Sequence, residues 1–111
     1  MINTVNAKIK STHLGYEDHG VFTAYLMLEW EGSGQGFGGY FLDRYDDKRD
    51  KRFGTEKGMT FIMRVVDAVG VSAWEELKGK YVRIKQDHNK IYGIGHITKS
   101  QWFMPEEEIF K

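Results

Sequence analysis

The sequence predicts an α+β fold that is mostly β, with five antiparallel strands and one main helix in the order β-β-β-α-β-β. Three observations predict it. Segments of period-2 alternation recur along the chain, and only one long segment carries helical spacing. Glycine is frequent, at 13 of 111 residues, while proline occurs once, at Pro105. Glycine without proline suits strands whose turns and bulges need positive φ. A helix between the third and fourth strands is the arrangement of the five-stranded, partly open OB barrel. A curved antiparallel sheet with the helix on one face is the other arrangement that this order permits.

In the first strand Val5, Ala7 and Ile9 alternate with Asn6, Lys8 and Lys10. The polar, glycine-flanked segment 15–20 (GYEDHG) reads as a hairpin turn. The second strand spans Val21–Glu31, with Phe22, Ala24, Leu26, Leu28 and Trp30 on the core side and Thr23, Tyr25 and Met27 outward. The third strand, Phe37–Asp43, has two readings. Phe37 and Phe41 share one face and Tyr40 and Leu42 the other, so either choice leaves an aromatic outside. Residues 43–52 (DRYDDKRDKR) hold five basic and four acidic side chains in ten positions and are expected to form a mobile, solvated loop.

The helix covers Glu56–Val69, where Met59, Ile62, Met63, Val66 and Val69 make an apolar stripe. Thr55 is its N-cap and Gly70 its C-terminal stop. A second, one-turn helix is expected in 72–79 (SAWEELKG), with Ser72 and Glu75 at capping-box spacing and Gly79 at the exit. The last two strands are Tyr81–Gln86 and Ile91–Thr98, joined by the turn 87–90 (DHNK). Residues 1–104 form the single OB-like domain, and 105–111 form a short acidic and aromatic C-terminal tail.

Composition excludes several function classes. Sixteen basic and sixteen acidic residues give no overall bias towards nucleic acid or an anionic membrane. The absence of cysteine removes disulfides, thiolate zinc sites and cysteine nucleophiles. No signal-peptide core and no stretch of 18 apolar residues occurs, so a cytoplasmic protein without a membrane partner is expected.

Gly34, Gly36 and Gly39 satisfy Gly-x-Gly-x-x-Gly, but the motif runs into a strand instead of opening a helix, so no pyrophosphate would meet helix amides. His13, His19, His88 and His96 lack metal-ligand spacing, and the serines lack a nucleophile-elbow context. The acidic residues cluster in 43–52 and 106–108, where solvation explains them. No catalytic residue, metal or cofactor is expected. A small hydrolase built on His13 or His96 is the remote alternative.

The stretches GSGQGFGGYFLD (32–43), GMTFIMRVVDAVGV (58–71), LKGKYVRI (77–84) and IGHI (94–97) resemble a group of small, uncharacterised phage and prophage proteins. The resemblance covers most of the chain and implies a phage or prophage setting and an OB-like layout. It implies no particular activity. The tail MPEEEIFK (104–111) resembles the acidic, aromatic-ended tail of single-strand-binding proteins. That likeness implies a partner-binding role for Glu106, Glu107, Glu108 and Phe110. Three features depart from it: the final Lys111, a run of only three glutamates, and no long linker. The competing reading is that Trp102, Phe103, Ile109 and Phe110 pack the tail onto the barrel or onto a second subunit.

The outward residues carry the functional expectation. Lys8 and Lys10 on the first strand, Tyr25 and Tyr40 on the second and third, and Tyr81, Arg83 and Lys85 on the fourth place aromatic platforms beside cations. That pairing suits single-stranded DNA or RNA, since every base offers a π-face and every nucleotide a phosphate. Setting aside Glu106, Glu107, Glu108 and Lys111 leaves 15 basic against 13 acidic residues, a mildly favourable balance. The expected function is non-catalytic binding of single-stranded nucleic acid as a replication or recombination accessory. The alternative is a phage-encoded inhibitor that binds a host protein or defence system. A barrel edge or the apolar tail could also support a homo-oligomer.

Overall fold

The computed structural model describes residues 1–111 and contains eight strands and two α-helices. In chain order they are β1 (Asn3–Tyr16), β2 (Phe22–Trp30), β3 (Ser33–Phe41), β4 (Asp43–Asp46), β5 (Lys51–Gly54), α1 (Glu56–Val69), β6 (Tyr81–Gln86), β7 (Ile91–Gly95), β8 (Trp102–Phe103) and α2 (Pro105–Glu108). Six strands make one antiparallel sheet in the order β3-β2-β1-β6-β7-β8, curled into a half-barrel around α1. The mostly-β expectation holds, but the count of five strands does not. α1 follows the fifth strand instead of the third, because the charged segment 43–52 forms a hairpin of its own.

One ion pair of that segment is buried against the sheet. Asp43 is buried, and its carboxylate accepts from Arg52 Nε at 2.6 Å and Nη2 at 3.0 Å and from the Phe22 amide at 3.2 Å. These bonds hold the Asp43 carboxyl below its usual range against the opposing effect of burial. β4 and β5 pair from Asp43↔Gly54 to Asp46↔Lys51, leaving only the tip as the expected solvated turn.

β1 serves two neighbours in succession. Its first half pairs with β6, from Asn3↔Gln86 to Lys8↔Tyr81, and its second half with β2, from Lys8↔Glu29 to Tyr16↔Phe22. The register slips between Ile9 and Ser11, so Lys10 sits in a bulge where the strand passes from one neighbour to the other. In β2 the core face carries Phe22, Ala24, Leu26, Leu28 and Trp30, as the alternation predicts. Thr23, expected outward, is instead buried, with its hydroxyl donating to the Tyr40 carbonyl at 2.6 Å.

A second bulge settles the orientation of β3. Gly38 (φ 108°) and Gly39 (φ 81°) lie opposite the slip between Ala24 and Tyr25. A Cβ on Gly38 would stand 2.6 Å from the Ala24 carbonyl oxygen, so only glycine fits. The extra residue turns both Phe37 and Tyr40 inward, although they are three apart, and leaves Phe41 69% exposed.

Thr55 caps α1 by accepting from the Gly58 amide at 2.9 Å, and Gly70 ends it in the left-handed region at φ 89°. The buried face is Gly58, Phe61, Val65, Ala68 and Val69. The expected stripe is displaced: Met59 and Met63 are 58% and 57% exposed, while Ile62 and Val66 are half-buried. Gly58 decides the orientation. Its missing side chain lets the helix backbone approach Leu42 so closely that a Cβ would lie 2.2 Å from the Leu42 carbonyl oxygen. Phe61 then meets Phe37 and Phe103, with centroids at 6.1 and 5.6 Å, and joins the two ends of the curled sheet.

The one-turn helix is a 3₁₀ turn at Trp74–Glu76. Glu76, not Glu75, closes its start by accepting from the Ser72 and Ala73 amides at 2.8 and 3.2 Å. β7, expected to run to Thr98, ends at Gly95, since residues 96–99 turn around His96, whose Nδ1 accepts from the amides of Thr98 and Lys99 at 3.1 Å. No helix is long and apolar enough to cross a membrane.

The sheet does not close through a β3–β7 ladder. The seam is spanned by side chains and by the C-terminal residues. Gln35 Nε2 donates to the Asn89 carbonyl at 2.7 Å, and Glu106 is shared between Tyr40 of β3 and Lys90 before β7. Glu108 accepts from Arg64 of α1 at 2.7 Å, and Phe110 stacks on Tyr40.

Candidate nucleic-acid interface

Strand register brings five of the seven expected nucleic-acid residues to the outer face of the sheet. Lys8 lies beside Tyr81 on one side and Glu29 on the other, Asn6 beside Arg83, Thr4 beside Lys85, and His13 beside Tyr25. Side chains opposite one another in an antiparallel pair share a face, so Lys8, Tyr25, Tyr81, Arg83 and Lys85 all project away from the core.

Each cation or aromatic on this face has a local partner. The Lys8 ammonium lies 5.9 Å from the centre of the Tyr81 ring, itself 59% exposed. Arg83 and Lys85 approach the Trp102 ring at 4.9 and 4.6 Å. Tyr25 stacks on His13, with centroids 5.0 Å apart and planes inclined by 20°. His13 Nε2 is buried and has no hydrogen-bond partner.

In sequence terms His13 is a remote catalytic candidate and Trp102 part of the tail packing, and neither is expected on this face. A signal for Trp102 was present in Gly93 and Gly95. Alternate glycines on a strand leave a bare strip, and a Cβ on Gly95 would meet the Trp102 ring at 2.7 Å. The glycines of β3 act similarly. Gly34 and Gly36 stand opposite Glu29 and Met27 on the outer face, so the Gly-x-Gly-x-x-Gly segment builds a flat strip and a bulge instead of a phosphate loop.

Lys10 projects from the β1 bulge. With Lys8, Tyr81 and the β2–β3 turn it lines a cleft of about 760 Å³. The outer face of β1 and β6 and this cleft together carry Lys8, Lys10, Arg83 and Lys85 against Glu29 and Glu31. A chain with no net charge thus gathers a local excess of cations. Arg83 also has a structural duty, because its Nε and Nη2 donate to the carbonyls of His96 and Lys99 at 2.8 and 2.6 Å.

Tyr40 is not on this face. The Gly38–Gly39 bulge turns it inward against Phe61, at 5.5 Å between centroids, and Phe110 covers it at 4.4 Å. Burial, reinforced by Glu106, pushes its phenol well above the usual range. The tail residues are largely engaged as well. Glu106 is held below its usual range by Lys90 and Tyr40, Glu108 bonds Arg64 and the Met104 amide, and Phe110 is half-buried. Glu107 alone of the four is exposed without a side-chain bond.

No set of three His, Cys, Asp or Glu side chains is placed to hold a metal ion. Comparison with protein-family models, with curated proteins and with solved structures finds no match for this chain.

Proposed function

We propose that this chain is a non-catalytic, OB-like protein that binds single-stranded nucleic acid across the outer face of β1, β2 and β6. Its setting would be the cytoplasm of a phage-bearing cell, as an accessory to replication or recombination. The observation that carries the reading is the grouping of Lys8 with Tyr81, Lys85 with Trp102, and Tyr25 with His13 on one side of one sheet. Bases stack on such rings whatever their sequence, and neighbouring ammonium groups neutralise the phosphates. The strand order supports the same reading. With β6 and β7 taken as fourth and fifth, the order 3-2-1-4-5 is that of an OB barrel opened along one seam, and the β4–β5 hairpin is an insertion before the helix.

Fluorescence anisotropy of a labelled oligothymidine, scanned from low to physiological salt, tests the proposal. Four engaged cations give a log–log salt slope of roughly −3, since each phosphate contact on a single strand contributes about −0.7. Tyr25→Ala combined with Lys85→Ala weakens binding at least tenfold, while Arg83 is left intact to preserve the 96–99 turn. Absence of binding at low salt, or binding indifferent to the double variant, rejects the reading.

A second reading, a phage-encoded inhibitor of a host protein or defence system, is favoured by the β4–β5 hairpin. Its tip displays Asp47, Lys48, Arg49 and Asp50 to solvent, a mixed-charge surface suited to a protein partner. Recovery of one stoichiometric protein from nuclease-treated host lysate, lost on replacing the tip residues, would support it over the first.

A further inference from the structure

One row of the outer face runs through four strands in register. Tyr81 of β6 stands opposite Lys8 of β1, Lys8 opposite Glu29 of β2, and Glu29 opposite Gly34 of β3. All four line the cleft of about 760 Å³. Opposite charges facing each other across two strands commonly pair. Lys8 and Glu29 do not. The Lys8 ammonium leans over the Tyr81 ring, and the exposed Glu29 carboxylate enters no ion pair. Gly34 raises no side chain on the other flank of Glu29.

A free carboxylate beside Lys8 and Lys10 is a cost to a surface that takes phosphates, because it repels them. It becomes useful where a base brings donors to it. In a single strand the Watson–Crick edges of the bases are unpaired and open to side chains. Guanine alone presents two adjacent donors on that edge, N1–H and the exocyclic amino group, next to the acceptor O6. A carboxylate accepts both donors with its two oxygens, as it does from an arginine fork. A lysine ammonium beside it donates to O6. Every other base sets an acceptor against the carboxylate: N1 of adenine, N3 of cytosine, or the carbonyls flanking N3–H of thymine.

We propose that the row of Tyr81, Lys8, Glu29 and Gly34 is a guanine seat in the path of the single strand. The seat rests on the nucleic-acid reading of this face and adds a base preference to it. Tyr81 offers the ring against which the base packs, and Glu29 takes the two donors. Lys8 lies 5.9 Å from the ring centre, near the outer limit of a cation–π contact, and is loose enough to turn to O6. Gly34 leaves the far side of the base unobstructed. Lys10, in the β1 bulge, neutralises an adjoining phosphate.

Anisotropy of labelled oligothymidines with one central guanine, hypoxanthine or adenine, set against the all-thymidine strand, tests the proposal. The guanine strand is expected to bind roughly tenfold tighter, within the range of one bidentate pair. Hypoxanthine, which lacks the exocyclic amino group, falls between guanine and thymine, and adenine gains nothing. Glu29→Gln removes the guanine preference and strengthens binding of the all-thymidine strand, because a negative charge leaves the face. Glu29 is exposed, so the variant keeps its fold. Glu31→Gln, at the turn end of the cleft, also strengthens thymidine binding but keeps the preference. Oligothymidine binding without a guanine preference, or a preference that survives Glu29→Gln, overturns the seat and leaves the broader reading standing. Guanosine monophosphate that binds where no oligothymidine does, and is lost with Glu29→Gln, keeps the seat and overturns the broader reading. Absence of both at low salt overturns both.

Discussion

The ring of Phe110, the next-to-last residue, lies stacked on Tyr40 of β3 with 4.4 Å between centroids and 15° between planes. Tyr40 in turn donates to Glu106 at 2.9 Å, and Glu106 also holds Lys90. The C-terminal residues therefore act as a strap across the open seam. Phe110→Ala is expected to cost about 2 kcal/mol, below the range for removing a fully buried aromatic ring, since Phe110 is half-buried. Urea unfolding followed by circular dichroism gives the value. A change below about 0.5 kcal/mol would mean that the strap contributes nothing to the fold.

Stability should fall in acid, and Asp43 should be prominent in the fall. Hydrogen bonds from Arg52 hold Asp43 below its ordinary value of 3.8. Lys90 and Tyr40 hold Glu106 below 4.5. Burial pushes Glu108 up, but the Met104 amide and Arg64 bring it down on balance. A carboxylate lowered in the folded state stabilises fully above its unfolded value and loses that contribution as pH drops through the folded one. Urea midpoints are therefore expected to stay level from pH 7 to about pH 5 and to decline below about pH 4. Asp43→Asn leaves Arg52 without its partner, costs about 3 kcal/mol at neutral pH and flattens the acid decline.

Gly58→Ala has an unusual expected sign. In an exposed helix the exchange stabilises by about 1 kcal/mol. Here the new Cβ would lie 2.2 Å from the Leu42 carbonyl oxygen, and α1 must withdraw from the sheet to make room. A loss of about 2 kcal/mol or more is expected, measured by thermal or urea unfolding. A neutral or stabilised variant would show that helix and sheet do not meet at Gly58.

The two apolar faces of α1 should respond in opposite ways. Met63→Glu, at a position 57% exposed, is expected to change stability by less than about 0.5 kcal/mol. Val65→Ala, at a position with no exposure, should cost about 2 kcal/mol. Reversal of the two would restore the stripe of Met59 and Met63 as the core face.

Much of the fold is legible in the residues. The inward face of β2, the Thr55 and Gly70 limits of α1, and the strand Tyr81–Gln86 follow directly from alternation and capping. Three features hide for physical reasons. Met59–Val66 and Phe61–Ala68 are both apolar stripes, and the choice between them rests on the room that Gly58 gives to Leu42, a contact between segments. Tyr40 reads as outward because simple alternation takes no account of a bulge, which moves every later residue to the opposite face. The segment 43–52 reads as solvated because every one of its ten residues but Tyr45 is charged, while the buried Asp43–Arg52 pair that anchors it is a contact between its two ends. On the outer face, the β1–β6 pairing unites Lys8 with Tyr81, but Trp102 reaches Arg83 and Lys85 only across β7.

The divided allegiance of β1 also sets an order of events. Its second half meets β2 across a five-residue turn, whereas its first half must wait for β6, more than seventy positions later in the chain. Local hairpins form in microseconds, and distant strand pairings are slower because a long loop must close first. On a ribosome the β1–β2–β3 meander can therefore assemble while Asn3–Ala7 stays unpaired until residues 81–86 have emerged. Pulse-labelling hydrogen exchange during refolding should record this as early protection at Leu26 and Leu28 and late protection at Val82 and Ile84.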